Sequence, residues 1–446
     1  MPGKNKILKL AVILAVLHAA YFLLALKFGG LYMADSAEYL KQAENIKSSF
    51  SFYCGDLAKQ IDNDLFTRRP PVYALLIAAV KFIVNLDFAV LFLQSLLSIL
   101  NLTGLYILMR GAGYEKYSFA AIPLFALLFP PQAITSNFIM AETLLQTIVF
   151  WTFYSFVKYI KTKELKYIFY FNLLLAAGVL TKPVLLYFWI PNILFSLYLY
   201  YKNRKVTIIA ASAILPAVIL AVCLFNLGKT GYFHYSSLKD NNLLYYNGYF
   251  ILVNTKDIET ANKEIEETQK YLFGIQDYKQ MSEERERLGT ELVMNNKMTY
   301  AKLHLKGVLN YFFDPGRFDF LNFTGRLNEK NNEGMMFIFA KEGYIGVLKQ
   351  LIKQNPGLLA YLVLVFLMNV VLFVGFIVFL IRKNVEFEIK LFAALLVFFL
   401  GFMSGPLGTL RYKIHVIPLM LFGAIIALSG FIDRKSRDEA EKTQKT

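Results

Sequence analysis

A carboxylate, Asp35, stands in Tyr32-Met33-Ala34-Asp35-Ser36-Ala37-Glu38-Tyr39, just past the first long apolar run. The same polar stretch continues to Thr67-Arg68-Arg69-Pro70-Pro71-Val72-Tyr73. Charge recurs at three further breaks between apolar runs: Glu142 after Thr135–Ala141, Lys182 in Gly178-Val179-Leu180-Thr181-Lys182-Pro183, and Arg411-Tyr412-Lys413. A carboxylate like Asp35 can serve as general base toward a hydroxyl or amine within hydrogen-bond reach. Proline fixes its own backbone and restricts the residue before it, so Arg69 is presented stiffly. A rigid guanidinium suits two-pronged binding of phosphate. Lys182 and Arg411 offer two more cations for the same anion.

Each of these residues also has a plain structural reading. Asp35 precedes an apparent helix, and Glu38 three residues on completes a pattern like a capping box. Arg69 could anchor the chain at anionic lipid. Lys182 could reach the bilayer surface along its own stem, or face inward if the span count is wrong. Glu142 opens a helix, where the macrodipole favours an acid. Its sharper reading is a second carboxylate that supports Asp35 or grips an acceptor.

The elements that must position these residues are membrane spans. Of the 446 residues, 57% are apolar and only 18% charged, against roughly 25% charged in soluble domains. Runs of about 20 apolar residues cross a bilayer as helices. Ten are expected, at 7–27, 87–109, 117–131, 143–160, 167–181, 184–201, 206–227, 357–381, 391–408 and 413–431. The fold class is therefore an all-α polytopic membrane protein with two large outer loops.

Charge predicts the orientation. With the N-terminus inside, segments 1–9, 110–116, 158–166, 202–205, 382–390 and 433–446 carry +3, +1, +3, +3, +1 and +1, which is +12 of the chain's +15. Loop 28–86 has six basic and six acidic residues, and loop 228–355 has seventeen and sixteen. Basic residues held in short inner loops are the usual bias. The high net charge is thus topological, which argues against a nucleic-acid partner. The first span keeps a basic flank with no cleavage pattern after it and reads as a retained anchor. Cys54 and Cys223 lie in different environments and are not expected to pair, and the four histidines lack metal-ligand spacing. No cofactor is evident.

The chain divides into a catalytic core at 1–227 that includes loop 28–86, an outer module at 228–355, C-terminal spans at 356–432, and a charged cytoplasmic tail at 433–446, expected to be disordered. Ser36–Ser48 has the spacing of an amphipathic surface helix. Pro71–Val84 is too short to cross and suits a half-inserted segment. In the outer module, 257–272 and 281–302 have helical charge spacing, while Asn310–Arg326 reads as an irregular aromatic return to the membrane. No internal repeat is visible.

Together these residues resemble the GT-C superfamily of membrane glycosyltransferases, nearest the branch of protein O-mannosyltransferases and lipid A aminoarabinose transferases. The resemblance rests on Asp35 with Tyr39, Arg69-Pro70-Pro71-Val72-Tyr73, Ala141-Glu142, Gly178-x-x-Thr181-Lys182-Pro183, and Arg411-Tyr412 with Pro418. It covers most of 1–230 and the last two spans. It implies that Asp35 is the catalytic base and that Glu142 is the acid of the second outer loop. It also implies that Arg69, Lys182, Arg411, Tyr73 and Tyr412 hold a polyprenyl-phosphate sugar, with Tyr39 and Glu38 as support. Many relatives have two adjacent acids in the first loop, whereas Ser36 follows Asp35 here. Metal use varies across the superfamily. The expected function is inverting sugar transfer from the lipid carrier to a glycan, lipid or protein acceptor at the outer face of the cytoplasmic membrane. The rival readings are a flippase of lipid-linked sugars, and a surface-polysaccharide polymerase or ligase.

Overall fold

Each apolar run named above folds as helix, because no backbone polar group can be left unpaired in lipid. The computed structural model describes residues 2–327 and 356–444, with Ile345, Gly346, Lys349 and Ile352 between them. No strand occurs among the described residues. Most of 328–355, the end of the expected outer module, lies outside them.

Six helices are long and apolar enough to cross a membrane: Asn5–Phe28, Asp87–Gly111, Pro183–Asn203, Val206–Thr230, Pro356–Ile381 and Leu410–Asp433. The other four expected spans are helices that are shorter or more polar. Glu115–Leu128 has 14 residues with Pro123 inside it, Leu165–Val179 has 15 and Phe387–Met403 has 17. Glu142–Thr162 runs for 21 residues but carries Glu142, Thr143, Gln146, Thr152 and Ser155. That polarity has a cause: the helix is the centre of the bundle, packed by Asp87–Gly111, Leu165–Val179 and the last helix, and these polar groups are all buried.

Packing between apolar helices in lipid depends on close approach rather than on a hydrophobic drive. Helix Pro356–Ile381 and the last helix, Ile417–Gln444, meet most closely, where a Cβ on Gly375 would lie 2.7 Å from the Ala424 Cα. A polar network then fixes the helices' mutual rotation. His18 Nε2 pairs with Ser98 Oγ at 2.8 Å, the Gln132 amide donates to Ser98 Oγ at 2.8 Å and to Gln146 Oε1 at 2.8 Å, and Gln146 Nε2 donates to the Ile414 carbonyl at 2.7 Å. Gln146 sits one helical turn after Glu142, so this last bond sets the segment carrying Arg411 against the start of the Glu142 helix.

The first loop folds onto the bundle's end. Helix Ser36–Ser49 forms as its spacing predicts, and it packs on helix Pro71–Ile83, whose first residue is proline. Proline is pre-organised for that position and lacks only an N–H the helix would not use there. Three expectations change. The helical pattern at 281–302 breaks at Asn296, giving Tyr278–Asn295 and Lys297–Phe313. Asn310–Arg326 is not irregular: it holds the end of that second helix, a turn at Asp314-Pro315-Gly316 and the short helix Arg317–Phe323. The tail is helical as far as Gln444, since no glycine or proline interrupts the last helix beyond Gly430.

Candidate active site

Asp35 occupies the position before helix Ser36–Ser49, yet its side chain does not cap that helix. It accepts instead from two guanidinium groups, Arg69 Nη2 on Oδ1 at 2.9 Å and Arg411 Nη2 on Oδ2 at 2.6 Å. Glu38 does not complete a capping box either. It takes Arg69 Nε at 2.5 Å and Arg68 Nη1 at 3.1 Å. Charge-assisted bonds to guanidinium are about twice as strong as neutral ones, which explains why the distant partners win over the local cap. Ser36 is structural: its hydroxyl donates to the Ile139 carbonyl at 2.7 Å.

Arg69 is positioned from three sides. Its carbonyl accepts from Gln42 Nε2 at 2.9 Å, its guanidinium lies 5.1 Å from the Tyr39 ring centroid, and the extended Pro70 fixes the chain after it. Tyr39 meets Tyr73 edge to face at 4.8 Å. Tyr73 is fully buried and donates to Gln94 Oε1 at 2.7 Å, so it braces Tyr39 and the first loop against helix Asp87–Gly111.

Glu142 is the first residue of its helix, and its side chain is 1% exposed. Its Oε1 accepts from Lys182 Nζ at 2.7 Å and from Arg411 Nε. Lys182 is extended before Pro183, as residues preceding proline tend to be. Tyr412 lies beneath both cations, 5.3 Å from Lys182 and 5.8 Å from Arg411. All nine residues singled out from the sequence therefore meet at one end of the bundle.

The ion pairs form one row of alternating sign: Arg68, Glu38, Arg69, Asp35, Arg411, Glu142, Lys182. Four cations face three carboxylates in this stretch. Burial raises the Asp35 carboxyl, but Arg69, then Arg411 and Lys182, outweigh it and hold it below the usual range. The row continues into the second loop. Arg68 lies 3.7 Å from Asp64, and Arg285 donates to Asp64 Oδ2 at 2.7 Å and to Asp240 Oδ2 at 2.7 Å. Sequence reasoning missed Arg68, Asp64, Asp240 and Arg285. Each sits among ordinary loop charges, and Arg285 meets a partner 221 residues away.

An apolar cavity of about 270 Å³ ends at Arg69. Phe52, Phe66, Pro71, Val222 and Phe225 are among its lining residues, so it opens between the first loop and the span Val206–Thr230. Arg69 thus borders an apolar cavity and also belongs to the charged row. Among the described residues, no group of three or more His, Cys, Asp or Glu side chains is placed to hold a metal ion.

No curated protein matches the chain. Residues 68–227, which carry Arg68, Arg69, Tyr73, Glu142 and Lys182 but neither Asp35 nor Arg411, match the family described as dolichyl-phosphate-mannose-protein mannosyltransferase. Taken with the apolar helices, that similarity indicates a multi-pass membrane glycosyltransferase.

Proposed function

We propose that the protein transfers a sugar, with inversion, from a polyprenyl-phosphate carrier to an acceptor at the outer face of the cytoplasmic membrane. The observation that carries this reading is Asp35 held between Arg69 and Arg411, with an apolar cavity running up to Arg69. A polyprenyl tail lies in the cavity, and its phosphate meets Arg69, with Lys182 and Arg411 in reach.

The ion pairs are consistent with the following order of events. Both guanidiniums pair with Asp35 and hold its carboxyl below the usual range, which makes it a weak base. A donor phosphate competes for Arg69 and Arg411 and so loosens their hold on the carboxylate. Asp35 then takes the acceptor's proton, the acceptor oxygen or nitrogen bonds to the anomeric carbon, and the bond from that carbon to the phosphate oxygen breaks. The polyprenyl phosphate leaves with the electron pair, its charge stabilised by cations already in place. Glu142 keeps Lys182 and Arg411 oriented toward that charge.

The test uses membranes containing the full-length protein and radiolabelled polyprenyl-phosphate mannose. Label appearing in glycan, lipid or protein supports transfer. Label that only changes leaflet overturns it in favour of flipping.

A further inference from the structure

One carboxyl beside the charged row has no partner. Asp319, in the short helix Arg317–Phe323, makes no hydrogen bond or ion pair among the described residues, although Arg411 and Glu142 are close enough for their charges to act on it. Protein surrounds it on nearly all sides, yet it keeps accessible surface. Asp319 is therefore enclosed by protein without being sealed from solvent. Other unmet polar atoms belong to the same neighbourhood. Glu142 Oε2, both ring nitrogens of His415 and the Tyr361 hydroxyl are buried without a hydrogen-bond partner. Glu142 interacts with His415, and Tyr361 with Asp319. Buried polar groups are nearly always satisfied, and leaving one unmet costs on the order of 1–3 kcal/mol. Several together mark a place where a polar ligand belongs.

The chain fixes this segment to the charged row. Asp314 Oδ2 accepts from the Leu410 N–H at 2.8 Å, the residue before Arg411, and Oδ1 accepts from Gly316 N at 3.1 Å. Gly316 has φ +72°, and a Cβ there would meet Leu410 Cδ2 at 2.4 Å, so only glycine allows the turn to sit against Leu410. Phe320 stacks on Tyr361 at 4.1 Å. Asp319 is therefore held on a rigid turn that also positions Arg411.

We propose that Asp319 is an acceptor-binding residue, meeting a hydroxyl group of the acceptor and holding it toward Asp35. The inference rests on the glycosyl-transfer reading and adds to it the side from which the acceptor enters: the donor lies against Arg69, the acceptor beyond Arg411. Burial pushes the Asp319 carboxyl up to about 7, so it spends much of its time as the neutral acid. A neutral carboxyl both donates and accepts, which matches a hydroxyl and does not favour an ammonium group.

The experiment compares wild type, Asp319→Asn and Asp319→Ala as full-length proteins in membranes, matched for amount and thermal stability. Two readouts are taken with radiolabelled polyprenyl-phosphate mannose: donor bound, and label moved to membrane acceptors. Asp319→Ala should bind donor as wild type does and transfer about tenfold more slowly at limiting acceptor, the size of one lost hydrogen bond. Asp319→Asn, which keeps a donor and an acceptor, should recover most of the transfer. Transfer by Asp319→Ala at the wild-type rate, or a parallel loss of donor binding, overturns the acceptor role while leaving the glycosyl-transfer reading intact. A wild-type protein that neither binds nor transfers this donor overturns both.

Discussion

Asp35 and Glu142 are both acids of the charged row, but the structure predicts opposite consequences of neutralising them. In Asp35→Asn, neither guanidinium loses its last partner: Arg69 keeps Glu38 and Arg411 keeps Glu142. Asp35 is also 24% exposed, against 1% for Glu142, so its replacement should cost less stability than that of Glu142. Removing a general base costs about 10²–10⁴ in rate, equivalent to about 3–5 kcal/mol on the barrier at 1.36 kcal/mol per tenfold. Glu142→Gln reverses the balance. Its carboxylate is 1% exposed and is the only acid paired with Lys182 among the described residues, so the change leaves a buried ammonium uncompensated. Breaking a buried pair in this way costs about 3–5 kcal/mol of stability. The assay is transfer from radiolabelled polyprenyl-phosphate mannose per mole of protein, alongside thermal denaturation followed by size-exclusion chromatography. Asp35→Asn should be inactive and denature near the wild-type temperature, whereas Glu142→Gln should denature several degrees lower. The reasoning fails if Asp35→Asn retains more than about a tenth of the activity, or denatures as early as Glu142→Gln.

Three further outcomes follow from the same geometry. Arg285→Ala leaves buried Asp240 with no ion-pair partner among the described residues and Asp64 with only the more distant Arg68, so it should cost about 3–5 kcal/mol and speed proteolysis within 228–327. Cys54 lies in the first loop, but burial pushes its thiol up to about 12 and it donates to the Leu65 carbonyl at 3.0 Å. A maleimide added outside intact cells should leave it unlabelled until the protein is denatured. Finally, burial raises both the Asp35 and the Asp64 carboxyls, but guanidinium partners outweigh it: Arg69 and then Arg411 for Asp35, Arg285 for Asp64. Carboxyls held below their ordinary range stabilise the fold above pH of about 4, and that contribution is lost as pH falls through the lowered value. Asp319 acts in the opposite sense, since its raised carboxyl favours the folded state as pH falls from about 7 toward 4, so denaturation temperature measured from neutral to acid pH should first rise and then drop below about pH 4.

What could be read from the sequence depended on contrast. Glu142, Lys182 and Arg411 stand out because a charge beside an apolar run is costly, and Arg69 because two prolines follow it. Their meeting at one end of the bundle agrees with where the apolar runs begin and end. Asp64, Asp240, Arg285 and Asp319 gave no such signal, since charges are ordinary in polar loops and only the tertiary fold shows which are enclosed. Asp35 was ambiguous for a different reason. The local pattern with Glu38 is that of a helix cap, and only the distant Arg69 and Arg411 decide against it. The polar central helix Glu142–Thr162 shows the limit of hydropathy: its Gln146 and Thr152 look unfavourable in a span until the surrounding helices supply their partners.

The bond between Arg411 and Asp35 joins residues 376 positions apart, and it has a consequence for the order in which the protein is made. Asp35 and Glu142 leave the ribosome early, while the cation that bridges them belongs to one of the last segments synthesised. Until that segment inserts, the nascent chain has two acids and no bridge between them. A product that stops before residue 411 lacks both the bridging guanidinium and the last helix, which packs on the helix that begins at Glu142. The charged row is thus completed only in the closing stage of translation.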